Sequence, residues 1–203
     1  MSHSNPYHLF TSLRSPFARR IRLVMNRLKL DCKETMLDVF QHNPALLTVN
    51  PLGMVPTLVF PNHGPVADSS TILEVLEEET GAIWPKDFSQ RVEVRKAAAL
   101  VEGIMLSSAL FFQETKMHEV PSPGWAHEHA SSIQDTLDFL SHAPSFVWYG
   151  DGRLTQAGWD LAVAIEYAAF RIPEINWKKY AIFVAIVDQA RKDSYFVETT
   201  PKA

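Results

Sequence analysis

The sequence predicts an α/β module of order βαβαββα followed by an all-helical module. Over the first eighty residues, short β-prone runs alternate with segments whose apolar residues recur at helical spacing. After Gly81 only helical periodicity remains, and residues 82–88 have the composition of a linker. We therefore expect one domain over residues 1–81, a linker over residues 82–88 and a helical domain over residues 89–203.

The α/β module has four predicted strands and three predicted helices. Tyr7–Thr11 is short and β-prone. Ser15 and Pro16 begin the first helix, because serine is a good N-cap and proline is favoured at the first helical position. The other predicted elements are a strand over Cys32–Val39, a short helix or turn over Asn43–Val49, strands over Thr57–Phe60 and Val66–Ala67, and a helix over Ser70–Glu79 that Gly81 ends.

Segments rich in proline and glycine separate the predicted helices of the helical module. The predicted helices lie roughly over Ser89–Glu114, Trp125–His142, Thr155–Phe170 and Trp177–Lys192. The segments Pro121–Gly124 and Gly150–Gly152 separate them.

Composition limits the class of protein. A net charge of −4 gives no reason to expect a polyanionic partner such as nucleic acid. The basic residues around the first helix are interpreted as a solvated face; they are Arg14, Arg19, Arg20, Arg22, Arg27 and Lys29. The single cysteine, Cys32, excludes an internal disulfide framework and favours a reducing compartment. Because Met1–Pro6 has no apolar signal core and no apolar run reaches about 18 residues, we expect a cytoplasmic protein without a membrane partner.

Two neighbouring segments, Asn50–Phe60 and Ala67–Leu73, indicate recognition of an extended backbone. A Val55–Pro56 step into a strand favours an unusual backbone such as a cis bond, and it leaves Val55 free to pair with a ligand. An Asp-Ser pair at a helix start offers a polar pocket where free N–H groups point outward. Together they predict a peptide-binding site.

This order of elements and motifs resembles the cytosolic glutathione S-transferase family, in its bacterial serine-type form, over nearly the whole chain. The matching motifs are Ser15–Arg22, Asn50–Pro56, Asp68–Leu73, Glu93–Ile104, Tyr167–Arg171 and Ser194–Phe196. The resemblance implies a thioredoxin-like N-terminal domain, a helical-bundle C-terminal domain, glutathione as co-substrate and a homodimer across the third and fourth helices. The sequence departs from the family pattern at three places. Met54 stands where many members have a lysine, Gly158 stands where the capping box often has an aspartate, and Lys192–Ser194 replaces a usual Arg-Pro-Ser. We expect Gly158 to weaken a helix cap by about 1 kcal/mol, with Asp160 a partial substitute.

The resemblance implies a hydroxyl that helps the glutathione thiol to ionise, because the thiolate is the nucleophile. Ser15, at the start of the first helix, is the first candidate; the alternative interpretation is plain N-capping ahead of Pro16, and the two roles do not exclude each other. Ser12 is the main rival and Thr11 the third.

The other implied contacts follow the tripeptide. Val55, turned by a cis Pro56, would pair with the cysteinyl part. Asp68 and Ser69 would hold the γ-glutamyl end, or would merely cap their helix. His42, beside Gln41, would face the glycyl carboxylate, although a loop histidine is also commonly solvated.

A hydrophobic electrophile would bind between the two domains. Its candidate contacts, for which ordinary core is the alternative interpretation, are Leu13, Phe17, Met105, Ser108 and Phe112. No metal site is expected, since His127 and His129, two positions apart on a helix, point to different faces.

The sequence thus predicts a glutathione S-transferase that conjugates the thiolate to an electrophilic small molecule. One alternative is a non-catalytic binding or regulatory protein with the same fold. Another is an isomerase, an ether-cleaving enzyme or a peroxidase that uses the same thiolate.

Overall fold

The computed structural model describes residues 6–142 and 144–201, which form two compact units, one ending at Ile83 and the other spanning Trp84–Pro201. Their junction lies within the segment predicted as a linker, and the predicted domain bounds themselves stay a prediction. Most of Met1–Pro6, and residues 202–203 of the predicted helical domain, lie outside the described residues.

The first unit is built on a four-stranded mixed sheet of order β2-β1-β3-β4. Its strands are β1 (Tyr7–Thr11), β2 (Cys32–Met36), β3 (Thr57–Phe60) and β4 (Gly64–Ala67). β1 runs parallel to β2 and antiparallel to β3, and β3 and β4 are antiparallel. β2 ends three residues earlier than predicted and β4 begins two residues earlier, with Pro65 tolerated because β4 is an edge strand.

Three helices complete this unit, as the sequence predicts: α1 (Pro16–Arg27), α2 (Pro44–Leu47) and α3 (Ser69–Thr80). Ile21 and Val24 of α1 and Ile72 and Leu76 of α3 are buried at helical spacing. Gly81 ends α3 in the left-handed region, at φ 61°, which glycine adopts without the strain a Cβ brings. The α/β fold class predicted for this unit is confirmed.

The second unit is helical. It contains α4 (Phe88–Lys116), α5 (Pro123–Ser141), α6 (Gln156–Arg171), α7 (Ala181–Ala190) and α8 (Ser194–Glu198), with 3-10 turns over Pro144–Phe146 and Trp177–Lys179. α4 packs against both α5 and α6. The prediction of one helix over residues 177–192 is wrong at its start, because extended backbone at Tyr180 (φ −103°, ψ 107°) separates the 3-10 turn from α7. The sequence reasoning also missed α8, which Asp193 caps.

The start of α6 shows why the chain has a glycine at position 158. Thr155 caps the helix, its Oγ1 accepting from the Gly158 N–H at 3.2 Å and donating to the Phe146 carbonyl at 2.6 Å. A Cβ on Gly158 would lie 2.7 Å from the Val147 carbonyl oxygen. Asp160 accepts from Gln156 at 2.7 Å. Glycine is therefore required by close packing, a reason the capping pattern does not show.

Within the described part of the chain, none of the helices has the length and apolar character needed to cross a membrane.

Candidate functional site

The strand register brings four loops of the first unit together at one end of the strands, which we call the sheet edge. Phe10 lies opposite Thr57, and Thr57 lies opposite Ala67. Since β1 and β2 are parallel, with Thr11 beside Met36, the last residues of β1, β2 and β4 and the first residue of β3 share this edge. The segments that leave it carry the predicted glutathione contacts: residues 12–15, 37–43, 50–56 and 68–70. A fully extended tripeptide is about 10 Å long, which is roughly twice the distance between neighbouring strands of this sheet.

Ser15 is the N-cap of α1. Its backbone is extended (φ −96°, ψ 122°), and its Oγ accepts from the Ala18 N–H at 3.2 Å. A serine hydroxyl accepts through its lone pairs and still has one proton to donate. The capping role is thus present, and it leaves the O–H available to a sulfur at the positive end of a helix.

The two rival hydroxyls are less accessible. Ser12 is 4% exposed, and its Oγ accepts from the Arg14 N–H at 3.3 Å. Thr11 is fully buried, and its Oγ1 has no hydrogen-bond partner among the described residues. Ser15 is only partly buried, which favours it over both.

The loop before β3 is held by Asn50, which is 3% exposed. Its Nδ2 donates to the Met54 carbonyl and to Thr57 Oγ1, both at 3.0 Å, and its Oδ1 accepts from the Leu52 N–H at 3.0 Å. The Val55–Pro56 bond is cis, as its sequence favours. In the part of the chain that the structure describes, neither the N–H nor the C=O of Val55 has a protein partner. Asn50, which the sequence reasoning did not single out, therefore fixes a loop that presents both backbone groups of Val55.

Asp68 caps α3. Its Oδ1 accepts from the N–H groups of Ser70 and Thr71 at 2.9 and 3.1 Å, and its backbone lies at φ 75°. The side chain is exposed, whereas Ser69 is only 2% exposed. The predicted capping role of Asp68 is present, and a carboxylate remains at the surface where an ammonium group could approach it.

The interpretation of the basic residues of α1 as a solvated face is wrong for three of them. Arg19, Arg20 and Arg22 are only 2%, 3% and 7% exposed. Arg22 pairs with Glu34 of β2 at 2.9 Å. Arg20 reaches the start of α3, where its Nη1 donates to Ser69 Oγ at 3.2 Å and both terminal nitrogens lie 3.4 Å from Ser70 Oγ. Their position among apolar residues such as Ile21 and Leu23 is the sequence signal that indicates burial.

His42 lies in an exposed loop after β2. The loop is tied by Asp38, which accepts from Gln41 Nε2 at 3.1 Å and, through its carbonyl, from Asn43 Nδ2 at 2.9 Å. Among the described residues His42 itself has no protein partner. It is available to a ligand carboxylate, and that role stays a prediction.

The predicted electrophile contacts differ in exposure. Leu13 is 55% exposed and Phe17 is half-buried. Met105 and Ser108 are fully buried, and Ser108 Oγ donates to the Ile104 carbonyl of its own helix at 2.7 Å. Phe112 is half-buried beneath the Arg171 guanidinium, which lies 3.7 Å from its ring centroid. Their role in binding an electrophile stays a prediction.

Cys32, His127 and His129 carry reactive or metal-binding side chains outside the predicted glutathione contacts. Burial raises the pKa of the Cys32 thiol to about 11, so it is protonated at neutral pH. His129 is buried against Trp125, whereas His127 is exposed beside Ser131. Among residues 6–142 and 144–201, no group of three or more His, Cys, Asp or Glu side chains could hold a metal ion.

Comparisons with known proteins agree with this geometry. A family model described as the glutathione S-transferase N-terminal domain matches residues 9–83. Glutathione S-transferase 1 of Dianthus caryophyllus is 30% identical over 150 residues, which cover 68% of this chain and 66% of that protein. A zeta-class glutathione S-transferase of Euphorbia esula is 28% identical over 149 residues, with the same coverage. The chain thus spans about two thirds of the length of these curated relatives.

Solved structures share the fold. A glutathione S-transferase of Methylobacterium radiotolerans, in complex with glutathione sulfonate, has a TM-score of 0.89 and 24% identity, over 98% of this chain and 96% of that one. A glutathione transferase family member of Pseudomonas fluorescens with bound glutathione has a TM-score of 0.83 and 24% identity, over 97% and 100%. Ure2p in complex with glutathione has a TM-score of 0.80 and 16% identity, over 100% and 95%. By its N-terminal domain, its sequence relatives and its fold, the chain belongs to the glutathione S-transferase family.

Proposed function

We propose that the protein is a glutathione transferase, which binds glutathione at the sheet edge and adds its thiolate to a hydrophobic electrophile. The observation that carries the proposal is the strand register, since it gathers Ser15, Val55 and Ser69 at one edge. Glutathione or a derivative is bound in several structures that share this fold, which supports the choice of ligand.

Each part of the tripeptide has a partner of suitable chemistry at this edge. The N–H and C=O of Val55 pair with the cysteinyl residue as a short antiparallel ladder. The N-terminus of α3 and the Ser69 hydroxyl receive the γ-glutamyl carboxylate, and Asp68 receives the ammonium. His42 donates to the glycyl carboxylate.

The chemical step requires an ionised thiol. A free thiol has a pKa of about 8.5, so only a small fraction is thiolate at neutral pH. A hydrogen bond from the Ser15 hydroxyl, at the N-terminus of α1, favours the thiolate and lowers the pKa of the bound thiol. The thiol proton passes to solvent as the thiolate forms, and the sulfur then bonds to an electrophilic carbon. In a substitution, the bond from that carbon to the leaving group breaks and the leaving group departs with the electron pair. In an addition, the electron pair of the double bond moves away from that carbon, and the neighbouring atom takes up a proton from solvent.

A second candidate is a non-catalytic glutathione-binding protein. One observation favours it: the Ser15 hydroxyl already has a structural role as the cap of α1. A third use of the same site, as in isomerisation, ether cleavage or peroxide reduction, would differ in its products. A homodimer and a cytoplasmic location, implied by the family resemblance, complete the proposal.

Thermal unfolding with and without glutathione tests the site. Glutathione at about 100 times its Kd should stabilise the protein by about 2.7 kcal/mol, which raises the Tm by several degrees. Free glutamate and cysteinylglycine, supplied as separate molecules, are the matched control and should shift the Tm far less. A Tm unmoved by millimolar glutathione would contradict every function proposed here.

Activity separates the candidates. The protein is incubated with glutathione and a panel of an aryl halide, an epoxide and an α,β-unsaturated carbonyl compound, and conjugates are measured by mass spectrometry. Conjugate formation supports the transferase. Binding without turnover across this panel, and without isomerised, reduced or ether-cleaved products in matching assays, supports the binding protein.

A further inference from the structure

A buried arginine lies beneath the predicted γ-glutamyl pocket. Arg20 is on α1, forty-nine residues before Ser69 in the chain, and only 3% of it is exposed. Its Nη1 donates to Ser69 Oγ at 3.2 Å. Its two terminal nitrogens also lie 3.4 Å from Ser70 Oγ. The contact joins the second turn of α1 to the start of α3.

The direction of this hydrogen bond determines what Ser69 can do. A guanidinium has only donors, so the Ser69 oxygen must accept and its own proton must point elsewhere. In the described chain Ser69 Oγ has no other partner, and no acceptor receives its O–H. A buried hydroxyl proton without an acceptor costs free energy, so the site is arranged to donate to a ligand.

We infer that Arg20 is a positioning residue for glutathione: it holds the Ser69 hydroxyl as a donor toward the α-carboxylate of the γ-glutamyl group. This inference rests on the proposed function, because the carboxylate is that of the proposed co-substrate. Arg20 need not touch the ligand. Its effect passes through Ser69, whose rotation it restricts and whose O–H it makes more polar by a charge-assisted bond.

The test pairs one substitution with one change in the ligand. Arg20→Met removes the donor and keeps an unbranched side chain of moderate length. The ligands are glutathione and 4-aminobutyryl-cysteinylglycine, which lacks only the α-carboxylate. The wild-type protein should prefer glutathione, and Arg20→Met should reduce that preference by about tenfold to 150-fold, the range for one hydrogen bond to a charged group. Affinity for the shortened ligand should stay nearly the same.

A merely structural role predicts a different result, in which both ligands weaken together. Arg22→Met is the matched control, since Arg22 is also buried on α1 and pairs with Glu34 of β2. It should lower the Tm and leave the ligand preference unchanged. Ser69→Ala should remove the same preference, and adding Arg20→Met to it should remove no more, because both changes act on one hydrogen bond.

If Arg20→Met does not fold, the ligand preference is measured on Arg20→Lys instead. Lysine donates from a single point and should retain part of the preference, between the wild type and Ser69→Ala. An unchanged preference in whichever variant folds overturns the role of Arg20 while leaving glutathione binding intact. A wild-type protein that binds neither ligand overturns the proposed function instead.

Discussion

The sheet edge of the first unit and the helical bundle of the second unit differ in the partners that their hydrogen-bonding groups have. At the edge, Ser15, Val55 and Ser69 each have a hydrogen-bonding group without a described protein partner. In the bundle, two buried hydroxyls donate within the unit, Ser108 to the Ile104 carbonyl and Thr155 to the Phe146 carbonyl. This difference predicts which substitutions should change glutathione binding or turnover and which should change the free energy of unfolding.

The largest effect is expected at Ser15. Ser15→Ala removes the donor proposed to stabilise the thiolate, and loss of one such donor typically lowers kcat by about 10²- to 10³-fold. It also removes the cap of α1, which should cost about 1 kcal/mol in the free energy of unfolding. Steady-state kinetics and urea unfolding measure the two effects separately.

Ser12→Ala is the control for this prediction, because Ser12 is nearby, buried and bonded only to the Arg14 N–H among the described residues. Its kcat should stay within about threefold of the wild type, since its hydroxyl is turned into the loop. A larger loss in Ser12→Ala than in Ser15→Ala would move the active hydroxyl to Ser12.

The second-largest effect is expected in the helical bundle, where Gly158→Ala should lower the free energy of unfolding. Gly158→Ala places a Cβ 2.7 Å from the Val147 carbonyl oxygen, and backbone cannot move aside cheaply. Although alanine favours a helix by about 1 kcal/mol over glycine, overpacking of 1–3 kcal/mol should dominate and lower the free energy of unfolding.

Glutathione binding distinguishes this change from one at the sheet edge. The Kd of Gly158→Ala, measured by calorimetry, should equal that of the wild type. Gly103→Ala is the matched control. Gly103 lies in α4, and apart from its chain neighbours and the nearby backbone of its own helix no atom lies within 4 Å of the added Cβ, so this change should leave stability the same or raise it slightly. Equal stability of Gly158→Ala and the wild type would show that the α6 start tolerates a side chain.

These two regions also differ in how much the sequence predicts. Ser15–Pro16, Val55–Pro56 and Gly81 are recognisable because caps, cis prolines and left-handed helix ends are set by a few adjacent residues. The Arg20–Ser69 contact and the approach of Val147 to Gly158 depend on tertiary packing. No local sequence pattern indicates such contacts, so the sequence predicts a solvated face for three arginines that are buried. The electrophile contacts lack a motif for the same reason, since they are apolar side chains at ordinary helical spacing.

A smaller effect is expected at His42, at the far end of the proposed ligand. His42→Ala removes one exposed donor to the glycyl carboxylate and should raise the Kd for glutathione about twofold to fivefold, because exposed polar contacts contribute little. His63→Ala is the matched control. His63 is also exposed, but it lies in the turn between β3 and β4, at the opposite end of the sheet. Equal Kd values for His42→Ala and the wild type would remove His42 from the site.

The smallest effect is a pH dependence confined to the bundle. Asp138 of α5 accepts from the Tyr180 hydroxyl, which in turn accepts from Gln134 Nε2 at 3.0 Å, and Lys179 lies 3.3 Å from Asp138 Oδ1. The hydrogen bond from Tyr180, together with Lys179, lowers the pKa of Asp138. A carboxyl group whose pKa is lower in the folded state binds protons more tightly when unfolded, so it stabilises the fold above its unfolded pKa of about 3.9.

Asp138→Asn should therefore be less stable than the wild type at pH 7 and pH 5, and the gap should close as the pH falls below about 4 through the lowered pKa of Asp138. Urea unfolding at pH 7, 5 and 3 measures the gap. Asp135→Asn, an exposed change on the same helix, should alter stability little at pH 7. A gap for Asp138→Asn that is as large at pH 3 as at pH 7 would mean that the contact stabilises α5 by its shape rather than by its charge. Glutathione affinity should be the same in both variants, because neither side chain belongs to the sheet edge.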